Sequence, residues 1–502
     1  MKRLLSFFLL LTLLMTSTFV MSCTTGEPDV EDPVLPPTDP VEGTDEDEDA
    51  RIALNLPDLY YGGEQGVHIL QWTVNDTVDT GTHWVPWEEG DVAEYSDDMM
   101  QSAVFARNAW VEEQLGVRIT AEYASVNKDY QTRLQRDFEA GSDMYQLATV
   151  RSRTVWPIIS SGLYSDMNEY ADTILHTDQP WWTTDAVSAY TLGDSLYACA
   201  TEMLLRDKGS TEAVFFNTKI ATDYELNYFY NFVEDGSWTL ETLISAGEIV
   251  ATSLDGDGMI NSALDIWGMD GCNLPYTFFI GGGYRFAHID GDGCVEYDFG
   301  SAETILAIQD IYETVIYADW NYNSNMPFEN APALGLFRED KALFATNSIR
   351  AGLTTYAHME TEYGILPTPK YTDDQDSYYS HVSCHSDSVI GIPVGAQDKE
   401  MAAMTLEMLS YEGYYSVKPL LYETMLLTRL AKSEESRRSV EIVLDTRTYD
   451  PGQYWDSEYN LQGTIFHLSE TGNSNIASIW NSWESATMEQ ITKVNDFIDE
   501  TR

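Results

Sequence analysis

Three apolar segments, 68–74, 117–123 and 145–150, alternate with two helical stretches, 99–115 and 129–140. Each helical stretch runs into a glycine, Gly116 or Gly141, the residue that most easily adopts the left-handed conformation ending a helix. Another helical stretch, 154–163, follows the third strand. Strands that alternate with helices pair in parallel, because parallel neighbours need a crossover. The pattern therefore predicts a doubly wound α/β lobe. The body from Arg51 onward is about 450 residues, more than one hydrophobic core fills, so a second lobe is expected.

The chain changes character at 191–201. Residues 195–201 predict one strand leading into the second lobe, which opens with a strand at 213–217. Thr239 and Ser301 stand where helix caps belong, each ahead of an apolar face of helical period. Residues 342–348 and 388–393 read as strands returning toward the first lobe, and 398–430 as helical.

Charge excludes one class of partner. The chain holds 27 basic and 82 acidic residues, a net charge of −55. That balance repels nucleic acid and disfavours highly anionic ligands. Cysteines are few: beyond Cys23 there are Cys199, Cys272, Cys294 and Cys384, predicted free and buried rather than a disulfide framework.

The first residues address the chain to a membrane. Lys2 and Arg3 precede an apolar run, 4–21, and Val20-Met21-Ser22-Cys23 follows. This is a secretory signal whose junction resembles a bacterial lipobox, which implies a lipid anchor on Cys23 and a cell-membrane location on the extracellular face. Residues 24–50 carry eleven acids, five prolines and no Lys or Arg, a composition that predicts an extended tether. The expected organisation is a signal over 1–22, an anchored tether over 23–65, a first lobe over 66–195 plus 350–400, and a second over 196–349. A helical region over 401–502 packs on both.

Several segments resemble family 1 extracellular solute-binding proteins of bacterial ABC importers. Val214-Phe215-Phe216-Asn217-Thr218-Lys219 is similar to the family's strand entering the second lobe. Gly236-Ser237-Trp238-Thr239 resembles its next helix start, and Tyr363-Gly364-Ile365-Leu366-Pro367-Thr368-Pro369-Lys370 a further characteristic segment. Leu254-Asp255-Gly256-Asp257-Gly258, Trp267-Gly268 and Gln179-Pro180-Trp181-Trp182 fit as well. The resemblance covers roughly 66–450. It implies a periplasmic-binding-protein-like α/β fold of two lobes joined by a hinge, with a ligand closed between them. It also implies ABC permease subunits as partners, no catalysis and no cofactor; a monomer is expected.

Thirteen Trp and thirty-one Tyr supply many flat amphipathic faces and favour a carbohydrate, an oligosaccharide in particular. Ligands of open α/β sheets bind beyond the carboxyl ends of strands. The ligand-binding candidates are therefore Trp84, Arg153, Trp156, Glu202, Trp267 and Tyr284, the last after three glycines that would let backbone approach a ligand. For any one aromatic, core packing accounts for the residue equally well. Trp181 and Trp182 are expected to pack between elements. Asp255-Gly256-Asp257-Gly258 lacks the acids that complete a calcium loop and reads as a polar turn. His381, Cys384 and His385 complete no zinc set. No catalytic signature is present. With 82 acids, a surface glycoside hydrolase using paired carboxylates remains the enzyme alternative. A glycan-binding surface receptor without a transporter is the third reading.

Overall fold

The computed structural model describes residues 51–73, 90, 98–126, 129–171, 173–271, 275–323, 335–426, 433–455, 465, 468 and 472–502. Cys23, Trp84 and Cys272 lie outside the described residues. Residues from Leu54 onward form one compact unit.

The first lobe follows the periodicity of the sequence. Strand β1 (Gln65–Thr73) leads through helix α1 (Met99–Leu115) to β2 (Val117–Ser125), and α2 (Tyr130–Ala140) leads to β3 (Leu147–Val150). Asp98 caps α1 by accepting from the Gln101 N–H, and Gly116 and Gly141 end the two helices at φ 64° and 59°. A short helix, α3 (Val155–Ser160), follows β3.

The second lobe carries β4 (Glu212–Asn217), α4 (Leu240–Val250), β5 (Trp267–Asp270), α5 (Pro275–Gly281), α6 (Ala302–Ile311), β6 (Asn321–Tyr322), β7 (Ala342–Ser348) and β8 (Tyr363–Leu366). Thr239 and Ser301 cap α4 and α6 by accepting from the N–H three residues on. The chain then returns as β9 (Val389–Gly391) and α7 (Lys399–Glu412), crosses again to α8 (Glu434–Asp445), and ends in α9 (Ile476–Thr501).

Two sheets result. The first has the order β9-β3-β1-β2, with β1 parallel to both neighbours and β9 antiparallel to β3. The second has the order β6-β5-β7-β4-β8, with β4 antiparallel to β7 and β8. Apolar side chains fill both, from Val67, Ile69 and Leu147 in one lobe to Val214, Phe344 and Leu366 in the other.

Three boundaries differ from expectation. Residues 342–348 do not return to the first lobe; β7 is the central strand of the second sheet. β8 lies there too, so the second lobe continues past 349 and the return comes near Val382. Residues 195–201 are not one strand: Ser195–Leu196 pairs back on Thr191–Leu192, and Cys199 bridges Ile390 within the first lobe. Short-range pattern finds a strand, but only long-range pairing decides which sheet it joins.

Three segments cross between the lobes and lie hydrogen-bonded side by side. Thr211 bridges Val382, while Ser380 and His381 pair in parallel with Arg447 and Thr448. Among the described residues no helix is long and apolar enough to cross a membrane.

Gly364 shows why β8 needs its glycine. A Cβ there would collide with the Phe216 ring and the Tyr230 hydroxyl. Gly364→Ala should therefore destabilise the protein by about 1–3 kcal/mol, the usual range for overpacking. Urea denaturation of wild type and variant checks this; equal midpoints would contradict it.

Candidate functional site

The carboxyl ends of β1 and β3, the first residue of β4 and the carboxyl end of β7 converge on the space between the sheets. Trp72, near the end of β1, donates its indole N–H to Ser388 Oγ at 2.8 Å. Arg206 from the first crossing segment lies over the Trp72 ring at 4.6 Å, and Arg151, just after β3, at 5.8 Å. Such cation–π contacts hold planar cations in place without neutralising them. Arg153 donates to Nδ1 of His385 at 3.0 Å. Burial first, then Arg153 and Arg151, drive the His385 imidazole down to about 3, so it is neutral at physiological pH.

The second lobe contributes Glu212, Tyr276 and Arg350. Burial pushes the Glu212 carboxyl up to about 7 against the pull of Arg350. Burial lowers the Arg350 guanidinium; Glu212 raises it and Arg206 lowers it. Tyr276, at 5% exposure, meets His381 edge-on at 5.3 Å. Groups from both lobes and from the crossing segments thus share one polar cleft.

Behind the cleft lies a buried charge cluster that ties the crossing segments together. Glu202 sits 3.0 Å from Lys208, 2.9 Å from Arg447 and 3.7 Å from Lys418. Asp207 lies 3.3 Å from Lys208 and accepts from Tyr449 at 3.0 Å. Burial pushes the Glu202 carboxyl up, but Lys208, Arg447 and Lys418 overcome it and hold the group at about 2.

This arrangement corrects several sequence expectations. Glu202, 2% exposed, is a hinge ion-pair residue, because its oxygens already face three cations. Trp267, 1% exposed, packs edge-on against Tyr322 and donates to the Ser262 carbonyl, so its ring belongs to the second-lobe core. Trp156 packs edge-on between Trp455 and Phe497 under α9. Tyr284 stacks on Phe279 and lines an outer hollow with Glu303, Asp310 and Tyr371. The glycines before it let α5 approach Thr368 and Tyr371, not a ligand. Arg153 does lie in the cleft. Trp181 and Trp182 both donate to the buried Glu407 carboxylate, at 2.7 and 2.8 Å, and pack as expected.

Composition hid Trp72, Arg151, Arg206 and Arg350. Trp72 reads as one more apolar strand residue, and only the strand-end rule, applied two residues earlier than Arg153, would have found Arg151. The 253–265 loop is a polar turn held by Asp265, which accepts from the N–H groups of Leu254, Asn261 and Ser262. Among the described residues no group of three or more His, Cys, Asp or Glu is placed to hold a metal ion. Cys199 and Cys384 are buried, and Cys294 is half-buried; among the described residues Cys199 and Cys294 are free. A hollow of about 700 Å³ lies at the amino end of β1, lined by Asp143, Asp398 and Glu400. It is at the wrong end of the sheet for a ligand of an open α/β lobe.

No protein-family model matches the sequence, and a search of curated proteins finds no match. Solved structures do match. A cyclic α-maltosyl-1,6-maltose binding protein from Arthrobacter globiformis aligns over 85% of this chain and 99% of its own, at 16% identity and a TM-score of 0.55. The galacto-N-biose-/lacto-N-biose I-binding protein of an ABC transporter from Bifidobacterium longum, in complex with lacto-N-biose, aligns over 86% and 98%, at 13% and 0.53. A sugar transporter from Rhizobium etli in an open conformation aligns over 86% and 99%, at 12% and 0.52. The fold is that of the two-lobe ABC solute-binding proteins. At these identities the likeness is one of fold. In such a fold the cleft around Trp72 is the interlobe cleft, and the Glu202 cluster sits at its hinge.

Removing one charge from that hinge leaves buried partners uncompensated. Glu202→Gln should lower stability by roughly 3–5 kcal/mol near neutral pH. Because the folded carboxyl is held at about 2, below its unfolded value, its stabilisation is full above about pH 4.5 and disappears as pH falls through about 2. Melting curves of both proteins across that window should show the gap closing with acid; a constant gap would assign the effect to packing instead.

Proposed function

We propose that this chain is a lipid-anchored extracellular receptor that captures a carbohydrate, an oligosaccharide in particular, and delivers it to an ABC importer. One observation carries the reading: a polar cleft between two α/β sheets, bridged by three hydrogen-bonded crossing segments. That geometry suits hinge closure around a ligand. The oligosaccharide-binding proteins that share the fold support the choice of ligand class. The signal-like start with Cys23 and its acidic tether supports surface anchoring, and a monomer with permease subunits as membrane partners follows from the same reading. The cleft acts by binding and closing, with no covalent step.

The tests separate the parts of this reading. A bound oligosaccharide at a hundredfold excess over its dissociation constant should stabilise the folded protein by about 2.7 kcal/mol. Small-angle scattering should show a smaller radius of gyration with that sugar, and chromatography should recover it intact. Accumulation of shorter products would favour a glycoside hydrolase. Separately, Cys23→Ala should abolish labelling of cells by an alkyne fatty acid; labelling equal to wild type would remove the anchor.

A further inference from the structure

The geometry points to an anionic glycan as the ligand, its carboxylate or sulfate ester seated on the guanidinium groups of Arg151 and Arg153. This rests on the receptor reading above and names the chemical class of its ligand.

The chain has three acids for every base, so a cation normally finds a carboxylate. Arg133 pairs with Glu122 and Asp129 at 2.9 and 3.0 Å, Lys219 pairs with Asp340 at 3.1 Å, and Arg438 pairs with Glu234. Arg151 and Arg153 are exceptions. They stand two residues apart on the turn after β3, where ligands of open α/β sheets bind. Among the described residues neither has a carboxylate within ion-pair distance. Arg151 makes no side-chain hydrogen bond among the described residues, and its buried Nε is without an acceptor there. Its neighbours are the Trp72 ring, the Arg153 guanidinium and, beyond ion-pair distance, the buried Asp387 carboxyl, which burial pushes up to about 7. Among the described residues Arg153 has only the neutral His385 as a side-chain acceptor.

Two half-buried guanidinium groups kept close together with no carboxylate at ion-pair distance repel each other. A stable protein holds that arrangement at a cost in stability, which an incoming oxyanion would remove. Arg also matches carboxylate and sulfate geometry with paired N–H donors, which a lone hydroxyl cannot use. Arg206 lies over the Trp72 ring beside the pair, and Arg350 faces Glu212 in the second lobe. The net charge of −55 predicts the reverse preference. That field acts at long range, however, and physiological salt screens it beyond about 8 Å. Contacts within the cleft are made inside that distance.

Calorimetry on the detergent-purified full chain tests this with four probes: trigalacturonate, its methyl ester, a sulfated disaccharide and maltotetraose. The acid and its ester share one scaffold and differ in charge. If the anion is a carboxylate, trigalacturonate should bind at least roughly tenfold tighter than the ester. If it is a sulfate ester, the sulfated disaccharide should bind tightest. Arg151→Gln and Arg153→Gln should each weaken the charged ligand by roughly ten- to a hundredfold and weaken the ester several-fold less. Arg153→Lys keeps charge without the fork and should recover part of the loss. Melting curves without ligand establish that the variants fold, and the acid–ester comparison needs no variant. Maltotetraose or the ester binding as tightly as both charged probes would overturn the inference and leave the sugar-receptor reading standing. Failure of all four to bind a folded protein would overturn both.

Discussion

The two lobes are held in register by charges buried at their junction. Glu202 and Asp207 on the first crossing segment face Lys208 beside them and Arg447 on another. Each of these side chains is almost wholly removed from water. Any one charge alone would be prohibitive there, since desolvation outweighs most single attractions. Together they compensate, and the compensation demands that the crossing segments keep their relative positions. Gly413 contributes by having no Cβ, which would press against the Glu202 carbonyl. The break in helical register at 413–417 then brings Lys418 toward Glu202.

This junction also sets what the cleft can do. The ladder between Thr211, Val382, His381 and Thr448 joins the lobes through backbone hydrogen bonds. Arg206 leaves the same segment to lie over Trp72 in the first lobe, so one short stretch supplies both hinge and cleft wall. Burial of Glu212 and desolvation of Arg350 place titratable groups of both signs at the edge of the second sheet. A cleft built this way has its charges fixed by surrounding packing before a ligand arrives, which lowers the ordering cost of binding.

The strong acidity of the chain and the basic character of its cleft do not conflict. Most acids among the described residues are exposed and act through solvent, where their field is screened. The few arginines of the cleft act at contact distance in a partly dry setting. Composition averages over both environments and so reports only the first.

Much of the architecture was legible from local pattern. The strands at 68–74, 117–123 and 145–150, the stops at Gly116 and Gly141, and the caps at Thr239 and Ser301 depend on residues near one another in the chain. Their chemistry is local, so sequence alone determined them. The membership of β7 and β8 in the second sheet depends on partners far away, and periodicity carries no information about partners. The same holds for the site. Glu202 and Trp267 have the chemistry of sugar-binding residues, and only packing decided that one faces three cations and the other faces a core. Trp72 and Arg151 look ordinary in sequence; they became a cleft because folding set a strand end, a turn and a hinge segment against one ring. Side-chain type is written in the sequence, but exposure and company are properties of the tertiary structure, since both depend on which distant surfaces burial brings together.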